Sequence, residues 1–412
     1  VSIIVQKYGG TSVGDAARIQ AVAERIVRAR NDGHQVVVVV SAMGHTTDEL
    51  LAMAQDIAAV PNGRELDLLL TAGERIAMSL LAIAVNSLGC PAASYTGSQA
   101  GIITDTQHGN AKIIDIRPGR IHEALSQGKV VIVAGFQGMS TAYDVTTLGR
   151  GGSDTTAVAL AASLGAEFCE IFTDVPGVFT ADPRIERSAR RLHAVSYEEM
   201  LELAASGARV LQTRSVEYAR RSGMLLHVRS SFSDEDGTWI VEEDQRMEQA
   251  MISGVAHDSG EVKVTLQGVP DRPGVAATVF RAVADEGVSV DMIVQNVSHD
   301  GLADISFTAP KSELARLGPL MDRVVKEIGA ERSDIDDGVA KVSLVGAGIK
   351  SDPGVAADMF SAMAEEGINI EMISTSSIRV SCVVRAADAE RAVRALHARF
   401  RLAEETAARD EH

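Results

Sequence analysis

The chain has 412 residues, 46% hydrophobic and 23% charged, with a formal net charge of −17. That length calls for two or three domains with ample core, and the acidic balance argues against nucleic-acid binding, which needs a basic surface to neutralise phosphates. Three scattered cysteines (Cys90, Cys169, Cys382) make neither a zinc pattern nor a disulfide framework, and no stretch reads as a run of twenty apolar residues, so a soluble, cytoplasmic protein with no membrane span is expected.

Ile3-Ile4-Val5-Gln6 reads as a short buried strand, and Lys7-Tyr8-Gly9-Gly10-Thr11-Ser12 follows at once. A lysine leaving a strand into a Gly-Gly turn can set its ammonium on a phosphate beside backbone donors. Ala16 to Arg30 and Leu66 to Leu88 have the Ala and Leu content of helices. Val36 to Val40 reads as a strand buried on both faces, as does Val130 to Ala134. Glu170 to Phe172 and Leu225 to Val228 continue the alternation. The predicted class is α/β, a mostly parallel central sheet covered by helices. Ligands in such folds bind beyond the C-terminal strand ends, and Lys7, Ser41, Gly135 and Thr173 all fall at such ends.

Thr147-Leu148-Gly149-Arg150-Gly151-Gly152-Ser153-Asp154-Thr155-Thr156 precedes an Ala-rich helical run. Glycines bring backbone N–H groups close to a ligand, and a following helix adds the positive end of its dipole. Arg150 offers a fork for a carboxylate or phosphate. Asp154 suits either a helix cap or a group that orients reactants. The run is equipped to bind two anions side by side, which points to phosphoryl transfer onto an acidic small molecule. It satisfies neither GxxxxGK[ST] nor GxGxxG.

After Asp234-Glu235-Asp236-Gly237, a polar segment reaching Gln249 reads as a linker, and an internal repeat follows. Asp271-Arg272-Pro273-Gly274-Val275-Ala276-Ala277 recurs as Ser351-Asp352-Pro353-Gly354-Val355-Ala356-Ala357, an offset of 80 positions from Pro273 to Pro353. Gly287 to Ile293 matches Gly367 to Ile373 at the same offset. Each copy reads as a ferredoxin-like βαββαβ module.

The Lys7 to Ser12 segment, Ser41-Ala42-Met43-Gly44, Ala72-Gly73-Glu74-Arg75, Gly135-Phe136-Gln137-Gly138, the Leu148 to Thr156 run and Thr173 to Arg184 together resemble the aspartate kinase family of the amino-acid kinase superfamily. The repeats resemble a pair of ACT domains. The resemblance implies a catalytic domain at 1–235, a linker at 236–260 and ACT domains at 261–338 and 339–412, with a C-terminal strand available to complete the first module. It implies phosphorylation of the side-chain carboxylate of L-aspartate by ATP with Mg2+, giving 4-phospho-L-aspartate at the head of lysine, threonine, methionine and diaminopimelate synthesis.

Residue by residue, the resemblance makes Lys7 and Asp154 catalytic. It places the nucleotide against Lys7, Tyr8, Gly9, Gly10, Ser41, Thr173, Asp174, Phe179, Arg184 and Arg209. Phe179 stands where many relatives carry Tyr, and Arg209 where many carry Lys. Aspartate is expected against Thr47, Glu74, Phe136, Arg150, Gly151, Gly152, Ser153 and Asp154, with Arg150 clamping a carboxylate and Glu74 taking the α-ammonium. No dedicated metal-ligand cluster is expected. The nucleophile is the substrate's own carboxylate, so no strong base is required.

Amino-acid effectors, lysine or threonine or both, are expected at Asp291, Gln295, Asn296, Ser374 and Thr375. Relatives under such control often carry Gly-Thr-Thr-Asp where this chain has Gly301-Leu302-Ala303-Asp304, and Ser-Glu-Ile where it has Ser376-Ser377-Ile378. Feedback that is weakened or retuned is therefore expected, each lost hydrogen-bond partner being worth about 1 kcal/mol. Paired ACT modules imply at least a homodimer. Met247 and Met251 are placed to start a separate small regulatory subunit. The competing readings are a related acyl-phosphate kinase for another acidic amino acid, and a non-catalytic amino-acid sensor.

Overall fold

The computed structural model describes residues 2–208, 210–243, 252–296 and 300–404. Arg209, Met247 and Met251 lie outside the described residues. The chain divides into two compact units, one of Val1–Val178, Arg191–Ala204 and Arg209–Asp244, the other of Phe179–Arg190, Ala205–Ala208 and Gln245–His412.

The first unit is built on an eight-stranded sheet. Its order is Ala194–Ser196, Thr238–Val241, Leu226–Ser230, Cys169–Thr173, Ile3–Tyr8, Gln35–Val40, Val130–Ala134, Ala92–Tyr95. Neighbours are parallel except Leu226–Ser230 against Thr238–Val241. Val36 to Val40 and Val130 to Ala134 are wholly buried, as strands covered on both faces require. Alternation along Ile3–Tyr8 sends Ile4 and Tyr8 into a core shared with helices Ala16–Asn31 and Gly63–Ser87. Lys7 faces the other way, toward helix Gly152–Leu164. A second sheet, ordered Ile113–Ile116, Ile102–Thr104, Gln137–Ser140, Val145–Thr147, delivers the chain into the glycine-rich run.

Helix Gly63–Ser87 is long and apolar enough to cross a membrane by length and composition, which the sequence reading passed over. Half of its most apolar window is buried. Its buried face packs in the core and carries Asp67 and Glu74, the pattern of an interior helix.

The second unit contains the two repeats. The first module runs Glu261–Pro270, helix Val275–Asp285, Ile293–Gln295, Leu302–Pro310, helix Leu314–Ile328, Arg332–Asp336, and its four strands close one sheet. The second runs Val339–Val345, helix Gly354–Glu365, Met372–Thr375, Arg379–Arg385, helix Ala389–Arg399. Its fourth strand comes from ahead of the first module: Gly254–Asp258 pairs antiparallel with Val339–Val345. Any C-terminal strand beyond residue 404, of the kind expected to complete the first module, lies outside the described residues. The first module is completed by its own Arg332–Asp336, while the chain after Arg385 turns into a helix burying Ala392, Val393 and Leu396. The edge beside Val339–Val345 is thereby left to Gly254–Asp258. The stretch expected as a linker, 236–260, thus carries strands Thr238–Val241 and Gly254–Asp258.

Phe179–Arg190 also belongs with this unit. Val255 N donates to Thr180 O at 2.8 Å, Thr180 Oγ1 meets His397 Nε2 at 2.9 Å, and Ala181, Ile185 and Ala189 join the second module's core. All three cysteines are free and buried.

Candidate active site

Four parallel strands of the large sheet end together. Tyr8 pairs with Val40 and Phe172, and Val40 pairs with Ala134, so the segments after them leave from one rim. Ser41 N donates to Tyr8 O at 3.1 Å, Gly9 N to Phe172 O at 3.3 Å, and Gly135 N to Val40 O at 3.0 Å. The loops then touch. Gly44 N donates to Gly10 O at 3.0 Å, and a Cβ on Gly10 would lie 2.7 Å from Ala42 O. Ser12 Oγ meets Ser231 Oγ at 2.5 Å, and Ser231 N donates to Thr173 O, which ties the Gly10 loop to the end of Cys169–Thr173.

Lys7 and Asp154 meet at this rim, Nζ to Oδ1 at 2.6 Å, with side chains 12% and 10% exposed. Gly9 lies beside the ammonium, a Cβ there falling in ordinary contact with Lys7 Nζ at 3.5 Å. Asp154 lies in the first turn of helix Gly152–Leu164, whose N-cap is Gly151 in the left-handed region (φ 69°), without a side-chain cap. Asp154 is therefore no cap, and the helix presents its positive end uncapped. Ser153 Oγ stands 2.7 Å from where a Cβ on Gly135 would be.

The glycine-rich loop is held from below. Thr147 Oγ1 donates to the buried Asp67 at 2.5 Å, Arg214 donates to Leu148 O at 2.8 Å, and Leu148 N donates to Phe136 O at 2.8 Å. Phe136 itself has φ +68°, a strained conformation for a large side chain. Its ring packs so closely on Gly152 that a Cβ there would lie 2.9 Å from it. Arg150 projects exposed from this braced loop and has no ion-pair partner among the described residues.

Glu74 is 3% exposed on helix Gly63–Ser87, and Ala42 N donates to its Oε1 at 3.3 Å. Its Oε2 is buried with no partner, and burial pushes its pKa up to about 7. Gly73 makes the approach possible, because a Cβ there would lie 2.8 Å from Ala42 Cβ. Thr47 stands in the first turn of helix Thr46–Ile57, whose Thr46 methyl lies beside Gly73.

The other expected nucleotide residues differ in their local settings. The Tyr8 ring is fully buried and stacked on Phe172 at 4.8 Å, so its side chain belongs to the core and its backbone to the rim. Asp174 is exposed and accepts from Thr173 Oγ1 at 3.1 Å. Phe179 and Arg184 belong to the second unit, where Arg184 forks onto Asp182 at 2.7 Å. Arg209 lies outside the described residues. Asp67 and Arg214, the two supports of the loop, went unnoticed in the sequence because nothing in their neighbourhood marks a buried carboxylate or a loop brace.

Residues 2–230 match the model of the amino acid kinase family, and residues 263–329 and 342–400 each match an ACT domain. The aspartokinase of Mycobacterium tuberculosis is 57% identical over 98% of this chain and 97% of its own length. That of Corynebacterium glutamicum is 54% identical over the same shares. The chain belongs to the aspartokinase family. The crystal structure of E. coli aspartokinase III in complex with aspartate and ADP matches with a TM-score of 0.82 at 26% identity, over 96% of this chain and 99% of that one. The same enzyme with lysine and aspartate matches at 0.75. An aspartokinase is a kinase of amino-acid biosynthesis, and the ACT pair indicates allosteric regulation.

In this aspartokinase's ACT modules, the expected effector residues separate. Gln295 lines a cavity of about 330 Å³ with the Pro270 to Ala276 turn, Ala303 and Ile305. Asp291 does not line it, because the buried Lys341 of the second module takes its carboxylate together with Glu261. Asn296 accepts from Asp304 N at 2.6 Å, and Ser374 and Thr375 lie in the edge strand Met372–Thr375. Lys263 of the first module meets Glu371 of the second. Asp291 and Glu371 occupy matching places in the two repeats, so each module's lysine holds the other's carboxylate. The lining role of Asp271 and Arg272 was missed, although the repeated Pro-Gly turn was the available signal.

Proposed function

We propose that this chain transfers the γ-phosphoryl group of ATP to the side-chain carboxylate of L-aspartate at the rim where Lys7 meets Asp154. The observation carrying the proposal is that ion pair, seated between a Gly-Gly turn and an uncapped helix N-terminus. Phosphoryl transfer asks mainly for positioning and charge stabilisation. Lys7, the Gly9-Gly10 turn and Ser41 suit the phosphates. A carboxylate oxygen of aspartate forms the new P–O bond as the bond from γ-phosphorus to the bridging oxygen breaks, and ADP leaves. The attacking carboxylate is already ionised, so no proton has to be removed.

Arg150, free of ion pairs among the described residues, suits the second carboxylate of the substrate. Glu74, with one buried oxygen unpartnered, suits its ammonium. Mg2+ would be held chiefly by the nucleotide phosphates, as is usual for this ion. Asp154 is the carboxylate placed to share in holding it, and the ion supplies neutralisation of phosphate charge.

Lysine and threonine are the proposed effectors, with control weaker than in relatives that keep the hydroxyls absent from Leu302 and Ala303. E. coli aspartokinase III, solved with lysine, supports an amino-acid effector. The proposed assembly is a homodimer or higher oligomer, with an internally started small subunit as a further form. Trapping the product with hydroxylamine tests the reaction. An aspartate- and ATP-dependent hydroxamate is expected, and its absence with folded protein refutes the proposal.

A further inference from the structure

The sheet of the first unit carries a cavity on the face opposite Lys7. It measures about 410 Å³, within the range of roughly 300–1,000 Å³ common for small-molecule sites. Arg25, Arg28, Arg229, Glu170, Phe168 and Phe172 are in its lining. Register puts Gln6 beside Glu170, Glu170 beside His227, and Phe172 beside Arg229, all on one face, whereas Lys7 pairs with Ile171 on the other.

The inward-facing acceptors of this cavity are each engaged, whereas one buried donor is not. Glu170 is almost fully buried, and both its oxygens are taken, one by Gln6 Nε2 at 2.8 Å and one by Arg229 Nη1 at 3.0 Å. Gln6 Oε1 accepts from Tyr8 at 3.3 Å. Asp234 Oδ1 receives Arg25 at 3.0 Å and faces Arg28 at 3.7 Å. Each of these inward-facing acceptors therefore already receives at least one donor. Donors remain: Arg229 Nε is buried with no partner, and Arg28 has only the distant Asp234. Buried N–H groups normally find an acceptor, and leaving one without costs free energy.

We propose that this cavity binds a compact oxyanion, a carboxylate or phosphate head on a small apolar body. Arg229 and Arg28 hold the head, and Ile4, Ala29 and Phe168 line the apolar side. Asp32, exposed at the rim, sets the preference for a single anionic head over a polyphosphate. The site is separate from the proposed phosphoryl-transfer rim, because the sheet lies between them.

The test uses the full chain saturated with ADP, so that nucleotide phosphate sites are filled, and two probes, benzoate and inorganic phosphate, titrated by calorimetry. Saturable binding of at least one probe is expected, with its dissociation constant raised at least ten-fold in Arg28→Gln and in Arg229→Gln and unchanged in Lys7→Met. Arg28 is mostly exposed, so its variant carries the test even where Arg229→Gln disturbs Glu170. Which probe binds assigns the head group. No saturable binding of either probe overturns the proposal, as does binding lost in Lys7→Met but kept in Arg28→Gln.

Discussion

Lys7 Nζ stands 2.6 Å from Asp154 Oδ1, the first from a strand end and the second from the opening turn of a helix. The two side chains face each other across the place where phosphate charge is expected to move. Lys7→Met removes that cation from the transition state and should lower kcat by about 10²–10³-fold, the scale of losing one preorganised donor. Asp154→Asn should also lower kcat. Steady-state kinetics on variants with wild-type circular dichroism check this, and near wild-type turnover in Lys7→Met contradicts it.

Glu74 gives a pH signature. Burial raises its pKa from 4.5 to about 7, so below pH 7 the free protein holds it neutral and unable to pair with an ammonium. KM for aspartate should rise as pH falls through that value, and Glu74→Gln should show a raised KM without that dependence. The sign for stability follows. The raised pKa costs nothing below pH 4.5, where both states are protonated, and destabilises the free fold increasingly between 4.5 and 7. Bound aspartate should therefore raise the Tm more at pH 8 than at pH 5, which a thermal melt series measures.

Gly151 has φ 69°, and a Cβ on it would lie 1.9 Å from Gln212 Cγ. Gly151→Ala should cost about 1–3 kcal/mol from strain and overpacking and, by shifting the Arg150 loop, raise KM for aspartate. Gly165 has a similar φ of 61° with open space around it. Gly165→Ala should cost about 1–2 kcal/mol and leave KM alone. Urea unfolding with kinetics on both variants separates the two effects.

The crossed lysines of the regulatory unit differ in burial: Lys341 is 1% exposed and Lys263 is 18%. Lys341→Met leaves the buried Glu261 without its cation and Asp291 with only Arg379 at 3.8 Å, and should destabilise by about 3–5 kcal/mol, as expected when one partner of a buried pair is lost. Lys263→Met should cost less. Equal costs by denaturant unfolding would contradict the ranking.

Lysine and threonine, each at millimolar concentration and then together, should inhibit only partially. Full inhibition at low concentrations of both would contradict weakened control.

Much of the catalytic half could be read in the sequence, because strand runs and glycine turns are local signals. Val36 to Val40 could only be a covered strand, and the glycines at 9, 10, 149, 151 and 152 marked close approach of backbone. What could not be read depended on distant partners. Tyr8 sits inside a motif, yet strand alternation turns its ring to Phe172. Asp291 kept the residue type expected at an effector site, but the Lys341 that occupies it lies 50 positions away. Gly254–Asp258 looked like linker because a strand that pairs with Val339–Val345 bears no mark of that partner.

The decisive measurement is a coupled assay of ADP formation over a panel of acidic amino acids. Transfer at the Lys7–Asp154 rim predicts ADP release that depends on L-aspartate, far exceeds the rate with L-glutamate, and collapses in Lys7→Met. Equal rates with glutamate, or ADP release indifferent to any amino acid, would contradict it.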